Sequence, residues 1–223
     1  MGYRTVAGFG QDEHVEKKSR FIGLCWPVYT EEEAKAKIEQ IRKEYWDASH
    51  HVYAYRLQPS EKTPSEIQKF TDDGEPGGTA GKPCLDVLLG AGVTNVLVIV
   101  IRYFGGTLLG TGGLVRAYTK GAQIALTAAG IVDKKNYLSG YIDMDYGILA
   151  KIQYTIGSMG REDVSETGTV YEDKVRMHLL VREEYLPQLE KKLAEASDGR
   201  LSLIKEEKVL AALVDGRLQS FKY

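Results

Sequence analysis

The chain has 223 residues, of which 43% are hydrophobic and 27% charged, and it carries a formal net charge of −2. That is the composition of an ordinary globular protein with one large or two small cores, and no global charge steers it toward a polyanion. Up to Asn136 there are 17 basic against 16 acidic side chains, and after it 12 against 15, so any nucleic-acid contact must come from a local patch. No apolar run approaches the ~20 residues of a membrane span, and the N-terminal residues lack a signal peptide's basic start and apolar core. Val6 stands where the myristoylation pattern needs Ser or Thr. Cys25 and Cys84 form neither a disulfide framework nor a Cys-x-x-Cys metal signature. These features together predict a cytoplasmic protein without a membrane partner.

Taken in chain order, Tyr3–Val6 and Arg20–Val28 read as strands joined by a charged turn over 11–18. Thr30 and Glu33 form a capping box ahead of Ala34, Ile38, Ile41 and Tyr45, a helix through Trp46. Residues 51–57 alternate as an aromatic-rich strand, 59–64 turn, and Ile67–Thr71 pairs back. Pro83 suits the first position of a helix that stops at Gly90. Val96–Ile101 is an unbroken apolar run, as expected of a strand buried on both faces. A long helix from about Gly113 to Ala129 closes at Gly130. Beyond it, strands at 138–146, 164–171, 174–181 and 201–213 enclose helices at 148–158 and 183–196, an order that fits a ferredoxin-like sandwich. The chain is therefore α+β in two domains: residues 1–136, an α/β sandwich on a mixed sheet, and residues 137–223, the ferredoxin-like sandwich.

The chemistry-bearing residues concentrate in glycine-dense loops. Gly77–Lys82 invites a phosphate-loop reading, but Pro76 and Pro83 occupy the places of its first glycine and its magnesium-holding hydroxyl. A backbone anion nest ahead of the helix and a simple packed turn both remain open. His50 and His51 point to opposite faces of their strand. With Asp72, Asp73 and Glu75 nearby they could serve a hydrolase, or hydrogen-bond the acidic loop structurally; the expectation is that they lie near that loop and bind no catalytic metal. Neither a cysteine nor a serine sits in a nucleophile motif, so no catalytic residue, cofactor or metal is assigned. Lys17, Lys18, Arg20, Arg56, Arg102 and Arg116 interleave with Tyr53, Tyr55, Tyr103, Phe104 and Tyr118, the pairing of charge and stacking surface that grips RNA. With Lys82, His50, His51 and the glycines 77, 78, 105, 106, 112 and 113, these are the candidate anion or nucleic-acid contacts, while Asp72, Asp73 and Glu75 order the loop. The acidic loop and aromatic strand would alternatively form a protein-docking surface.

Asp-Asp-Gly-Glu-Pro-Gly-Gly-Thr-Ala-Gly-Lys-Pro (72–83), Arg-Tyr-Phe-Gly-Gly (102–106), Gly-Gly-Leu-Val-Arg-Ala-Tyr (112–118), Lys-Lys-Ser-Arg-Phe-Ile (17–22) and His-His-Val-Tyr-Ala-Tyr-Arg (50–56) together resemble the IMPACT/YigZ family. The resemblance covers roughly the first 130 residues. It implies a first domain similar to the fourth domain of elongation factor G, a second similar to its fifth, and a translation-related role. Partners implied are the ribosome, structured RNA or a translation-related protein. Eukaryotic relatives carry a different additional module and act on a translation-control kinase; without that module, the kinase role is not expected here.

Overall fold

The structure is a computed structural model describing residues 2–60, 64–214 and 216–221. It divides into two compact units, Tyr3–Val132 and Asp133–Tyr223 with Met1–Gly2. The turn expected over 59–64 includes residues 61–63, which lie outside the described residues.

The N-terminal unit contains β1 (Tyr3–Val6), β2 (Gly10–Glu16), β3 (Ser19–Pro27), α1 (Glu31–Glu44), β4 (His50–Leu57), β5 (Ile67–Thr71), α2 (Gly81–Gly90), β6 (Val96–Tyr103) and α3 (Thr111–Ala129). Its five-stranded sheet runs β2-β3-β6-β4-β5, and each of these pairings is antiparallel. The unit is thus mixed in its layers of helix and sheet rather than in strand direction. The apolar run of β6 is explained by those layers. Leu97, Ile99 and Ile101 pack with Ala34, Ile38 and Ile41 of α1. Val96, Val98 and Val100 pack on the other side with Leu85 and Leu88 of α2 and Leu114, Ala117 and Tyr118 of α3. A sheet covered on both faces needs no alternation at its centre.

The α3 helix lies close to the sheet because small residues line the contact. A Cβ on Gly23 would stand 2.2 Å from the Gly121 carbonyl oxygen, and one on Gly10 would stand 2.0 Å from the Ala129 nitrogen. Only glycine fits either position.

Residues 11–18, expected as a turn, are mostly strand β2. The turn itself is only Lys17-Lys18, both at positive φ (46° and 68°), between the paired Glu16 and Ser19, as a two-residue primed hairpin turn requires. β2 hid from the periodicity because it is a charged edge strand with only Gly10 buried. Helix α1 ends at Glu44, short of Trp46. Its capping box forms, with Thr30 Oγ1 accepting from the Glu33 amide at 3.1 Å. The Glu33 carboxylate reaches back to the Tyr29 amide at 2.7 Å. Helix α2 starts at Gly81, two residues before Pro83, for a reason that lies in the acidic loop described below.

The second unit comprises β7 (Ile131–Met144), whose first residues precede the division, then α4 (Leu149–Gly157), β8 (Val164–Tyr171), β9 (Val175–Arg182), α5 (Leu186–Ser197), β10 (Ile204–Val214) and β11 (Arg217–Phe221). The sheet order β11-β10-β7-β9-β8 contains the interleaved order of a ferredoxin-like sandwich. Ile152, Ile156, Leu189 and Leu193 of the two helices cover Ile142, Met177, Leu179 and Val181 on one face. β11 is the addition that periodicity did not reveal. It is short and its residues are half-buried or exposed, so no apolar pattern marks it.

Candidate functional site

The acidic loop between β5 and α2 is organised residue by residue. Asp72 accepts from the Gly78 amide (2.8 Å) through one oxygen, and from the Ala80 (3.0 Å) and Gly81 (2.8 Å) amides through the other. Three amides of the Gly77–Lys82 stretch therefore converge on one acceptor group, and that group is the chain's own carboxylate. Asp72 thereby supplies α2 with the cap that no adjacent side chain gives, which lets the helix begin ahead of Pro83. Gly78 takes φ 76° in this turn, while Gly77 faces open space.

Asp73, itself at φ 46°, ties the loop to β4 and α1. One carboxylate oxygen accepts from the His51 amide at 2.6 Å and the other from Arg42 Nη2 at 2.8 Å. The two histidines do face opposite sides of β4. His50 Nδ1 is 2.8 Å from the Asp73 carbonyl and His51 Nε2 is 2.9 Å from the Tyr45 carbonyl. A carbonyl only accepts, so each of those nitrogens carries the proton. The histidine–carboxylate distances are longer: 3.7 Å from His50 Nε2 to Glu75 and 3.9 Å from His51 Nδ1 to Asp73. Both exceed general-base reach of about 2.6–3.2 Å. Among the described residues no group of three or more His, Cys, Asp or Glu side chains could hold a metal.

Glu75 enters the protein. Its side chain and that of Arg102 are each only 5% exposed, and they pair at 2.5 Å. The same oxygen accepts from the Tyr118 hydroxyl at 2.7 Å. Burial, and then the Glu75 carboxylate, push the Tyr118 hydroxyl far above its ordinary range, so it stays a donor. Arg102 also donates to Ser19 Oγ at 3.3 Å and stacks between Phe21 and Phe104, 5.5 and 5.4 Å from their ring centres. Its Nε, buried, has no partner. Above this pair lies a cleft of about 370 Å³ lined by His50, Glu75, Arg102, Phe104, Leu108 and the start of α3 at Gly110-Thr111, among others.

The remaining sequence-predicted basic residues separate into two sets. Arg20 pairs with Glu13, Arg56 with Glu66 and the Val93 carbonyl, and Lys82 with Asp86. Lys17, Lys18 and Arg116 are exposed and make no ion pair among the described residues. They gather around the segment carrying Gly105, Gly106, Gly112 and Gly113. A Cβ on Gly105 would stand 2.1 Å from the Lys18 carbonyl carbon, so this loop lies directly against the lysine turn. Gly106 turns at φ 77°, and Arg116 Nη1 is 3.6 Å from the place a Gly112 Cβ would take. A Cβ on Gly113 would press on the Leu109 side chain at 2.9 Å. Arg42 and Ser19 were not among the expected site residues, although Ser19 lies inside the 17–22 motif, while Tyr118, expected as a stacking surface, is buried and donates to Glu75 instead.

Beside this region His14 of β2 stacks on Phe21 at 5.1 Å with neither ring nitrogen partnered. Burial, and then the Lys120 charge, hold it below the ordinary histidine value of 6.5, against the weaker pull of Glu16 and Asp12. A depressed folded-state value means the unfolded chain takes the proton first. The associated stability is complete above 6.5 and is lost as pH falls below it and through the lower folded-state value. Thermal melts at about pH 7.5 and about pH 5.5 are expected to differ less for His14→Phe than for the parent. An unchanged difference would remove His14 as the cause.

An acidic loop on an α/β/α sandwich, followed by a ferredoxin-like unit, defines a two-domain α+β protein. No helix among the described residues is long and apolar enough to cross a membrane. A family model described as the Impact N-terminal domain matches residues 17–126, and one described as Domain of unknown function (DUF1949) matches 142–200. The IMPACT family member YvyE of Bacillus subtilis (strain 168) is 42% identical over 151 residues, covering 68% of this chain and 68% of that protein. The IMPACT family member YigZ of Escherichia coli (strain K12) is 37% identical over 191 residues, 84% of this chain and 90% of that protein. A crystal structure described only as that of a hypothetical protein is 34% identical with TM-score 0.56, covering 92% of this chain and 98% of its own. The chain belongs to the IMPACT family.

Proposed function

We propose that this protein is a non-catalytic translation regulator of the cytoplasm that binds structured RNA or the ribosome through its N-terminal unit. The observation that carries the reading is that Lys17, Lys18 and Arg116 are exposed and make no ion pair among the described residues, on the lysine turn and the helix that adjoin the loop exposing Phe104 and Leu108. Unneutralised cations beside an exposed aromatic ring are the means by which phosphate and unstacked bases are held together. The translation-related role comes from the family. Gel shifts with purified ribosomes and structured RNA at about 50 and about 200 mM salt test it, since phosphate contacts weaken steeply over that range. Reversing Lys17, Lys18 and Arg116 to glutamate should abolish binding, and each single alanine variant should flatten the salt slope by about one. Lys82→Ala, which breaks only the Asp86 pair, should bind like the parent. Absence of binding at the lower salt would end the reading.

Leu108, 82% exposed, and the half-exposed Phe104 also favour a second reading, docking of a translation-related protein on the same loop. A partner pulled down from nuclease-treated lysate, and lost with Leu108→Ser, would favour docking over RNA.

A further inference from the structure

The second unit carries a cleft where the two edges of its sheet come together. β11 and β8 stand at opposite ends of the strand order, yet both line this one cleft of about 550 Å³. They meet because the sheet coils, so that Leu218 of β11 folds back onto Tyr137 of β7 and Leu180 of β9. The floor is apolar. Ile156, Met159 and Val164, each at most 7% exposed, reach it from the helix-side core, and Leu218 reaches it from the opposite face. A bulge shapes the rim: Glu166 pairs with Leu179 and Gly168 with His178, which leaves Thr167 as an extra residue of β8. Bulges at sheet edges re-aim side chains, and Ser165, Glu166 and Thr167 all line the cleft. Charge marks the same place independently. The chain beyond Asn136 has more acidic than basic side chains, and five of the basic ones are arginine. Arg176, Arg182 and Arg200 pair with carboxylates. Arg161 and Arg217 are exposed, make no ion pair among the described residues, and both line this cleft. Two arginines against the single carboxylate of Glu166 give its walls a net charge of +1.

We infer that this cleft binds a small organic anion, a carboxylate or phosphate borne on an apolar body. A guanidinium fork matches either head group bidentately, and two of them without carboxylate partners face one cavity. The Ser165 and Thr167 hydroxyls add donors beside them. The apolar body would cover Ile156, Met159, Val164 and Leu218, which removes aliphatic surface from water on both sides. The volume falls within the range of about 300–1,000 Å³ usual for small-molecule sites, as does an apolar lining with a few convergent polar groups. A monoanion balances the charge of the walls. An RNA strand would bring repeated charges and little apolar surface to an aliphatic floor in an acidic unit, so the small molecule is the better match.

The fluorescence of anilinonaphthalene sulfonate, an aromatic anion, reads occupancy of the cleft on the full chain. Arg161→Gln and Arg217→Gln should each weaken dye binding roughly tenfold. Their melting temperatures should match the parent's, because both side chains are exposed. Glu166→Gln should tighten binding severalfold, since it removes the opposing charge. Phenylpropionate and phenyl phosphate then compete for the site with the two head groups. At least one should displace the dye at roughly tenfold lower concentration than acetate or inorganic phosphate, and the one that does identifies the head group. Dye binding indifferent to both arginines would overturn the inference. So would displacement by inorganic phosphate or a short RNA as readily as by the phenyl acids, which would make the arginines part of a polyanion surface. The N-terminal RNA contact, probed through Lys17, Lys18 and Arg116, stands or falls separately.

Discussion

Replacing Glu75 with leucine is expected to destabilise the N-terminal unit by about 3–5 kcal/mol, the cost of leaving one member of a buried ion pair without its partner. The substitution strands the Arg102 guanidinium at 5% exposure and removes the acceptor of the Tyr118 hydroxyl in the same step. The mechanism has a sharp signature. The double variant Glu75→Leu/Arg102→Met removes both charges and should recover most of the loss, because apolar groups of similar volume replace a buried pair at little cost. Chemical denaturation followed by a probe in the N-terminal unit measures this, because two units need not unfold together. A double variant as unstable as Glu75→Leu alone would mean that the pair orders the loop by geometry rather than by charge balance.

Asp72→Ala is expected to cost about 3 kcal/mol or more, since one carboxylate serves three amides and hydrogen bonds to charged groups are worth about 1.5–3 kcal/mol each. The loss should be local. Hydrogen exchange at Gly78, Ala80 and Gly81 should accelerate well before that of β6. Asp72→Asn should fall between parent and alanine. Its carbonyl can serve Ala80 and Gly81, which share one oxygen in the parent, while its amide turns a donor toward the Gly78 N–H. An alanine variant within about 1 kcal/mol of the parent would show that solvent replaces these bonds without loss.

Much of this protein is dictated by short-range pattern. The apolar run of β6, the alternation of β4 that sends His50 and His51 to opposite faces, the Thr30–Glu33 cap and the strand–helix order of the second unit are all local periodicities. A local periodicity depends only on the repeat of the backbone, so these features are legible in the residues alone, as were the motifs that mark the family. Features without an apolar signal escaped: β2, whose charges belong to an edge strand, and β11, whose residues are exposed or only half-buried. Charge partnership was decided by the tertiary structure alone. Glu75 meets an arginine 27 residues away and a tyrosine 43 residues away, and Asp73 meets Arg42 rather than Arg102 or Arg116. Sequence spacing carries no information about which of several nearby acids and bases come within a few ångströms once strands pair, because Coulomb and hydrogen-bond energies depend on distance in space. The same holds for the amides of Gly77–Lys82, where the sequence leaves an anion nest and a packed turn both open and Asp72 fills the place from across the loop.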